Sequence, residues 1–313
     1  MNGDVAQGPV VNTRSILTVT FLSVAYVLLS IWVVGFKSDQ LVLVTIFNAC
    51  FYASSISRKF ILGFSVFIVY WILFDYMKAF PNYKVSTVHI ADLYNLEKHL
   101  FGINFKGHIL TPNEYWKANS KSYLDVIGGI FYLCWIPVPL SFAAYLFFFK
   151  NRREFLCFAM TFFVVNLLGF VVYYTFPAAP PWYIQEHGFT FIANTPGNTG
   201  GLARFDHFFN VHIFQSIYQK GSNVFAAMPS LHSAYPIIVV YYAFKNRVGA
   251  MKIVLITVML GIWLTAIYTS HHFVLDVLAG TITAIVGINI FNILFSKVPA
   301  LTKFLDSYEA YIR

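Results

Sequence analysis

Eight apolar stretches, at residues 16–36, 40–56, 60–80, 125–149, 155–176, 229–246, 252–270 and 273–296, limit what this chain can become more than any other feature. Each is close to the roughly 20 residues a helix needs to cross the hydrocarbon core of a bilayer. The predicted fold is an all-α membrane protein with about eight transmembrane helices. The second stretch is the most diluted, by Asn48 and the Ser54-Ser55 pair. Composition agrees: 11% of residues are charged, against roughly 25% in a soluble domain, so water is not the main solvent. The net charge of +8 comes with no basic recognition stripe, which argues against nucleic acid. Cys50, Cys134 and Cys157 lie inside apolar runs at no ligand spacing and read as small core residues. The first run is too long for a signal-peptide core and has no small-residue cleavage site after it, so a permanent helix is expected.

Orientation follows from the short connections. With the N-terminus cytoplasmic, the inward loops carry Arg58-Lys59, then Lys150, Arg152 and Arg153, then Lys245, Arg247 and Lys252, and the tail carries Lys297, Lys303 and Arg313. This is the positive-inside pattern, and it holds end to end only for an even number of spans. Two long connections, 81–124 and 177–228, then fall on the non-cytoplasmic face, and long ordered loops are usually functional. Within the first, Val88 to Leu100 has helical apolar spacing and predicts an amphipathic helix on the bilayer surface. The second is punctuated by Pro177, Pro180, Pro181, Pro196-Gly197 and Gly200-Gly201 and reads as a lid or vestibule. The division expected from sequence is a two-helix membrane segment at 1–58, a six-helix membrane domain at 59–300 and a cytoplasmic tail at 301–313.

Two short segments on that outer face carry the chemistry. In Met228-Pro229-Ser230-Leu231-His232-Ser233-Ala234, Pro229 suits a first helical position. Ser230 and His232 then fall in the first turn, where free N–H groups favour an anion such as phosphate. In Ser270-His271-His272-Phe273-Val274-Leu275-Asp276, His272 and Asp276 are four apart and share a helix face. The carboxylate can therefore fix the ring's tautomer. Asp276 stands one turn inside an apolar span, where an ionisable group marks a functional site by default. His271 points about 100° away from that face and is an accessory candidate. Zinc is a rival reading, but a catalytic site draws three ligands in tight geometry, and there is no His-x-x-x-His or cysteine partner here, so no metal and no cofactor is expected.

These segments resemble the second and third signature motifs of the phosphatidic acid phosphatase type 2 superfamily, and within it the inositol phosphorylceramide synthases. The same order and similar spacing extend to Phe176-Pro177-Ala178-Ala179-Pro180-Pro181-Trp182-Tyr183, to Gly201-Leu202-Ala203-Arg204-Phe205-Asp206 and to Tyr268-Thr269-Ser270. The resemblance covers roughly residues 60–296 and implies a six-helix core preceded by two further helices. It departs from the wider superfamily in two places. The lysine-and-arginine first motif is absent, and Thr265 and Ala266 stand where a serine-arginine pair would precede the third-motif histidine. Phosphate must then be met by other groups: Arg204, Ser230 and Lys78, the last three residues after Asp75, with Asp75 and Asp206 as accessory candidates. Lys78 reads equally well as a snorkelling interfacial lysine.

The reaction expected is a two-step transfer through a phosphohistidine. His272, oriented by Asp276, attacks the phosphorus of a phospholipid head group, while His232 gives a proton to the leaving diacylglycerol and later takes one from the incoming hydroxyl. A ceramide-type acceptor would make a phosphosphingolipid, and water would make the chain a lipid phosphatase. The resemblance implies phosphoinositol as the group moved, with phosphatidylinositol as donor; the residues alone do not choose among head groups. A lipid transporter is the reading from another class, but the charges gather at one face rather than midspan. The outer face would be that of a bacterial inner membrane or the Golgi lumen, and the lack of an Asn-x-Ser/Thr sequon leans towards the former.

Overall fold

A computed structural model describes residues 11–219, 221 and 223–313 of the chain. Every apolar run is helical. In chain order the elements are α1 (Thr13–Val34), α2 (Ser38–Ala53), α3 (Ser55–Tyr76), α4 (Ala91–Phe101), the strands β1 (Ile103–Phe105) and β2 (His108–Leu110), α5 (Pro112–Ala118), α6 (Ser122–Leu133), α7 (Pro137–Phe149), α8 (Arg152–Thr175), α9 (Pro181–His187), α10 (Ala203–Phe209), α11 (Ile213–Tyr218), α12 (Leu231–Lys245), α13 (Met251–Tyr268), α14 (Val274–Lys297) and α15 (Pro299–Ile312). Three short 3-10 turns sit between them.

Among the described residues, six helical segments are long and apolar enough to cross a membrane: Thr13–Val34, Ser55–Ala79, Ser122–Phe149, Arg152–Thr175, Met251–Tyr268 and Val274–Lys297. The other two of the eight, α2 and α12, have 16 and 15 residues, short of the roughly 20 expected for a full crossing. The start of α12 shows why. Ser230 is extended, at φ −70° and ψ 103°, and acts as the N-cap. Pro229 therefore lies ahead of the helix, not at its first position as the sequence suggested. The fourth run is broken between α6 and α7, where Pro137 has no N–H to continue the ladder. Large apolar side chains face outward along these helices, Trp32 at 83% exposure and Phe21 at 71% among them. Faces of that kind are stable only in lipid. The chain is an integral membrane protein.

The described residues form two compact units, each discontinuous in sequence: those up to residue 80, with 143–163 and 291–313, make one, and those within 81–142 and 164–290 the other. In the first, the tail expected at 301–313 is the amphipathic helix α15, which buries Leu305 and Ile312. Its Tyr308 hydroxyl donates to the Leu62 carbonyl at 2.6 Å. The apolar-run criterion passes over such a helix because only one stripe of it is apolar.

The second unit holds both long loops. Its core gathers Tyr132, Leu202, Phe205, Phe214, Ile262, Ala266 and Val277 from α6, the 3-10 turn Gly200–Leu202, α10, α11, α13 and α14. Gly129 on α6 is the contact point for α10: a Cβ there would meet the Phe205 ring at 2.1 Å. The amphipathic helix expected over 88–100 forms as α4. Leu93 and Glu97 turn into the protein while Leu96 and Leu100 stay exposed. Pairing of β1 with β2 sets Ile103 opposite Leu110, across a turn with positive φ at Lys106 and Gly107, the signature of a tight hairpin.

Candidate active site

Two helix starts meet in the second unit. Gly280 on α14 lets them approach, since a Cβ there would lie 2.1 Å from the Ser230 carbonyl. The Ser230 N–H then donates to the Asp276 carbonyl at 2.9 Å. This contact brings the first turn of α12 against the first turn of α14. His232 Nδ1 lies 3.1 Å from His272 Nε2, and on the other side of the His272 ring Nδ1 faces Asp276 Oδ2 at 3.5 Å. The Tyr132 hydroxyl is 3.3 Å from His232 Nδ1, and the Trp135 ring stands edge-on to His232 with centroids 4.3 Å apart.

The turn between α13 and α14 is sharp. Ser270 has φ +60°, and the N–H groups of both His271 and His272 donate to the Ala266 carbonyl at 3.0 Å. Burial pushes the His272 imidazole down to about 4, so the ring is neutral near pH 7. His272 Nδ1 is buried without a hydrogen-bond partner, Asp276 Oδ2 standing off at 3.5 Å; with its proton on Nδ1, the ring presents the Nε2 lone pair to His232 Nδ1. His271 behaves differently. The Thr269 hydroxyl donates to the Thr265 carbonyl at 2.7 Å, so it accepts from His271 Nδ1 at 3.0 Å. His271 Nε2 is left buried with no protein partner, and its ring packs against Tyr218 and Tyr132.

Arg204, on the first turn of α10, is fixed by Asp125 of α6: Nε meets Oδ1 at 2.6 Å, and the Tyr268 hydroxyl donates to the same oxygen at 2.7 Å. The guanidinium lies over the Tyr268 ring and against Gly201, where a Cβ would come within 2.9 Å of Nη2. That Nη2 is buried without a partner, a free donor next to the turn that carries the histidines.

Other residues singled out by sequence are occupied elsewhere. The Ser230 hydroxyl accepts from the Ser233 N–H at 3.3 Å and from the Ser233 hydroxyl at 3.0 Å, so it caps α12. Asp206 accepts from the N–H groups of Phe214 and Gln215 at 3.2 and 2.9 Å and caps α11. Lys78 and Asp75 belong to the first unit, where they pair with each other at 2.8 Å and Asp75 also meets Lys37 at 3.6 Å.

Tyr132, Trp135, Asp125, Glu97 and Asn113 belong to the site without any motif to mark them, and Tyr268 is marked only as part of the Tyr268-Thr269-Ser270 stretch. Asp125 carried a usable signal, being a carboxylate at the start of an apolar run like Asp276. The others are ordinary loop or core residues until the chain folds.

Taken together, the fold and the site define a class of helical membrane proteins in which paired histidines and a carboxylate meet at helix N-termini. The model of the PAP2 superfamily matches residues 102–290, and the chain belongs to that superfamily. Phosphoinositol dihydroceramide synthase of Bacteroides thetaiotaomicron is 43% identical over 96% of this chain and 99% of its own length. Inositol phosphorylceramide synthase of Candida albicans is 28% identical over 84% of this chain. The catalytic subunit of the Saccharomyces cerevisiae inositol phosphorylceramide synthase is 28% identical over 70%. This chain spans about half the length of those two fungal relatives, 54% and 53%. No solved structure matches it.

Proposed function

We propose that this chain is a membrane phosphotransferase that moves phosphoinositol from phosphatidylinositol to the hydroxyl of a ceramide-type lipid. The observation that carries the chemistry is the 3.1 Å contact between His232 Nδ1 and His272 Nε2, with Asp276 behind the second ring. The group moved is supported by the names of the relatives, above all the one aligned over almost its whole length.

His272 Nε2 is the nucleophile. The donor phosphate enters between the two ring nitrogens, so the hydrogen bond joining them opens on binding. Nε2 attacks phosphorus, the bond from phosphorus to the diacylglycerol oxygen breaks, and that oxygen takes a proton from His232, which carries it as the imidazolium beside the bound anionic phosphate and is left neutral. Asp276 stabilises the ring as it becomes cationic. In the second half, His232 takes the proton of the ceramide hydroxyl, the hydroxyl oxygen attacks phosphorus, and the bond to His272 breaks. The free Nη2 of Arg204 faces charge on the non-bridging oxygens. Arg204 does the work that the missing Ser-Arg pair would do, Thr265 and Ala266 having no charge to offer. In this reading the site opens to the non-cytoplasmic face, which the basic residues of the short loops support.

The test is purified protein in lipid with inositol-labelled phosphatidylinositol, with and without ceramide. Labelled phosphosphingolipid is expected only with ceramide. Release of labelled inositol phosphate at the same rate in both would replace the transferase reading with a phosphatase.

A further inference from the structure

We propose that Glu97 and Asn113, both in the loop segment 81–124, are positioning residues that fix the line of attack of His272. The proposal rests on His272 being the nucleophile.

A helix leaves its first N–H groups without intrahelical partners, and a buried helix start must find others. At α14 the accounting closes on two carboxylates. The Phe273 N–H donates to Asp276 Oδ2 at 2.8 Å, while the N–H groups of Val274 and Leu275 donate to the two oxygens of Glu97 at 2.9 and 3.1 Å. Asn113 closes the turn from its carbonyl side. Its Nδ2 donates to the Ile267 carbonyl at 2.8 Å and to the His272 carbonyl at 2.9 Å, bridging the end of α13 to the start of α14. With the His272 N–H on Ala266, both peptide groups flanking the His272 Cα are tied.

Both side chains are almost wholly buried, Glu97 at 0% and Asn113 at 1% exposure. Burying a carboxylate is costly unless it is hydrogen-bonded, and no cation pairs with Glu97 among the described residues. An apolar side chain would fill the same space but leave two buried N–H groups unmet. The carboxylate is explained by what it holds. Its own base is firm: Leu93, one turn earlier on α4, packs with Phe273 and Ala178, and His89 exchanges main-chain hydrogen bonds with Pro177 and Ala179 at 2.7 and 2.9 Å. Neither residue touches a reacting atom, so their effect passes through the position of His272. A nucleophile misplaced by about 1 Å loses on the order of 100-fold in rate.

The experiment compares Glu97→Ala, Glu97→Gln and Asn113→Ala with the unaltered chain and with His272→Ala, all full-length in lipid. The readouts are kcat, KM for phosphatidylinositol, melting temperature and the single-turnover rate of labelling the protein with labelled head group. Glu97→Ala is expected to lower kcat about 100-fold, with KM within about twofold and labelling slowed by the same factor. Gln keeps one acceptor oxygen and should recover about tenfold of that loss, while Asn113→Ala should lower kcat about tenfold. A lower melting temperature with kcat preserved in the folded protein would overturn the proposal, as would a loss confined to KM. If Glu97→Ala does not fold, Asn113→Ala and Glu97→Gln decide by the same criteria. Labelling that persists in His272→Ala would overturn the nucleophile assignment itself, whereas an inactive His272→Ala beside fully active Glu97 and Asn113 variants would overturn this inference alone.

Discussion

At the start of α12 the helix supplies its own cap: Ser230 accepts from Ser233, three residues on. The start of α14 is capped from 177 positions away by Glu97 and tied down further by Asn113. One histidine thus stands on a locally built turn and the other on a turn held by distant loop residues. The difference matches the two proposed roles. A proton carrier must move between leaving group and acceptor, whereas a nucleophile must lie in line with a bond it will break.

The largest effects should fall on the two histidines, and they should differ in kind. His272→Ala is expected to lose transfer by on the order of 10⁴-fold or more and to take no label from labelled donor. His232→Ala should lose about 10² to 10⁴-fold but still take label slowly when ceramide is withheld. Trapping experiments with labelled phosphatidylinositol decide it. Label on His272→Ala and none on His232→Ala would exchange the two assignments.

Next in size is the Arg204 site. Arg204→Ala should lower kcat by about 10²-fold, the scale of losing one donor to a developing oxyanion. Asp125→Asn loosens the guanidinium without removing it and should cost about tenfold. Steady-state kinetics on both would show whether Arg204 acts on phosphate. Equal losses would mean that Asp125 and Arg204 matter only as a packed ion pair.

How much of this was readable beforehand depends on the sequence separation of each contact. His272 and Asp276 are four apart, and Pro-Ser-x-His lies within one turn, so the residues spell out those local relations. The eight apolar runs were legible for a similar reason, since the bilayer acts on each run separately. The break at Pro137 and the stripe of α15 depend on finer patterns within or beyond a run. Asp125 with Arg204 joins positions 79 apart, and Tyr132 with His232 joins positions 100 apart. Nothing local to Glu97 or Asn113 announces what they hold. Ser230 shows a different limit: its place at a helix start was legible, but that its hydroxyl accepts from Ser233 was not.

A smaller effect should appear with pH, because of the two histidine-bearing helix starts only that of α14 is capped by a buried titratable group from a distant loop, Glu97. Burial, with the charge of Asp276 adding to it, pushes the Glu97 carboxyl up to about 7. A carboxyl raised in the folded state binds more protons there than in the unfolded chain between roughly pH 4.5 and 7. Its contribution to stability is therefore full below that window and lost as pH rises through it. The grip on Val274 and Leu275 runs the other way, since the ionised form offers both oxygens as acceptors. Activity is expected to rise through pH 7 while melting temperature falls, and Glu97→Gln should flatten both slopes. Slopes unchanged in Glu97→Gln would assign the titration to another group.

The smallest effect should come from the self-capped helix. Losing an N-cap serine costs about 1 kcal/mol, so Ser230→Ala should lower the melting temperature by about 2–4 °C. Its activity should stay within about threefold, because His232 is carried by the helix and not by the hydroxyl. Had Ser230 served phosphate directly, the same substitution would cost on the order of 10²-fold in kcat at an unchanged melting temperature. Calorimetry and kinetics on one variant thus separate the two roles. A kcat loss of that size would make both helix starts part of the phosphate site and would end the contrast between them.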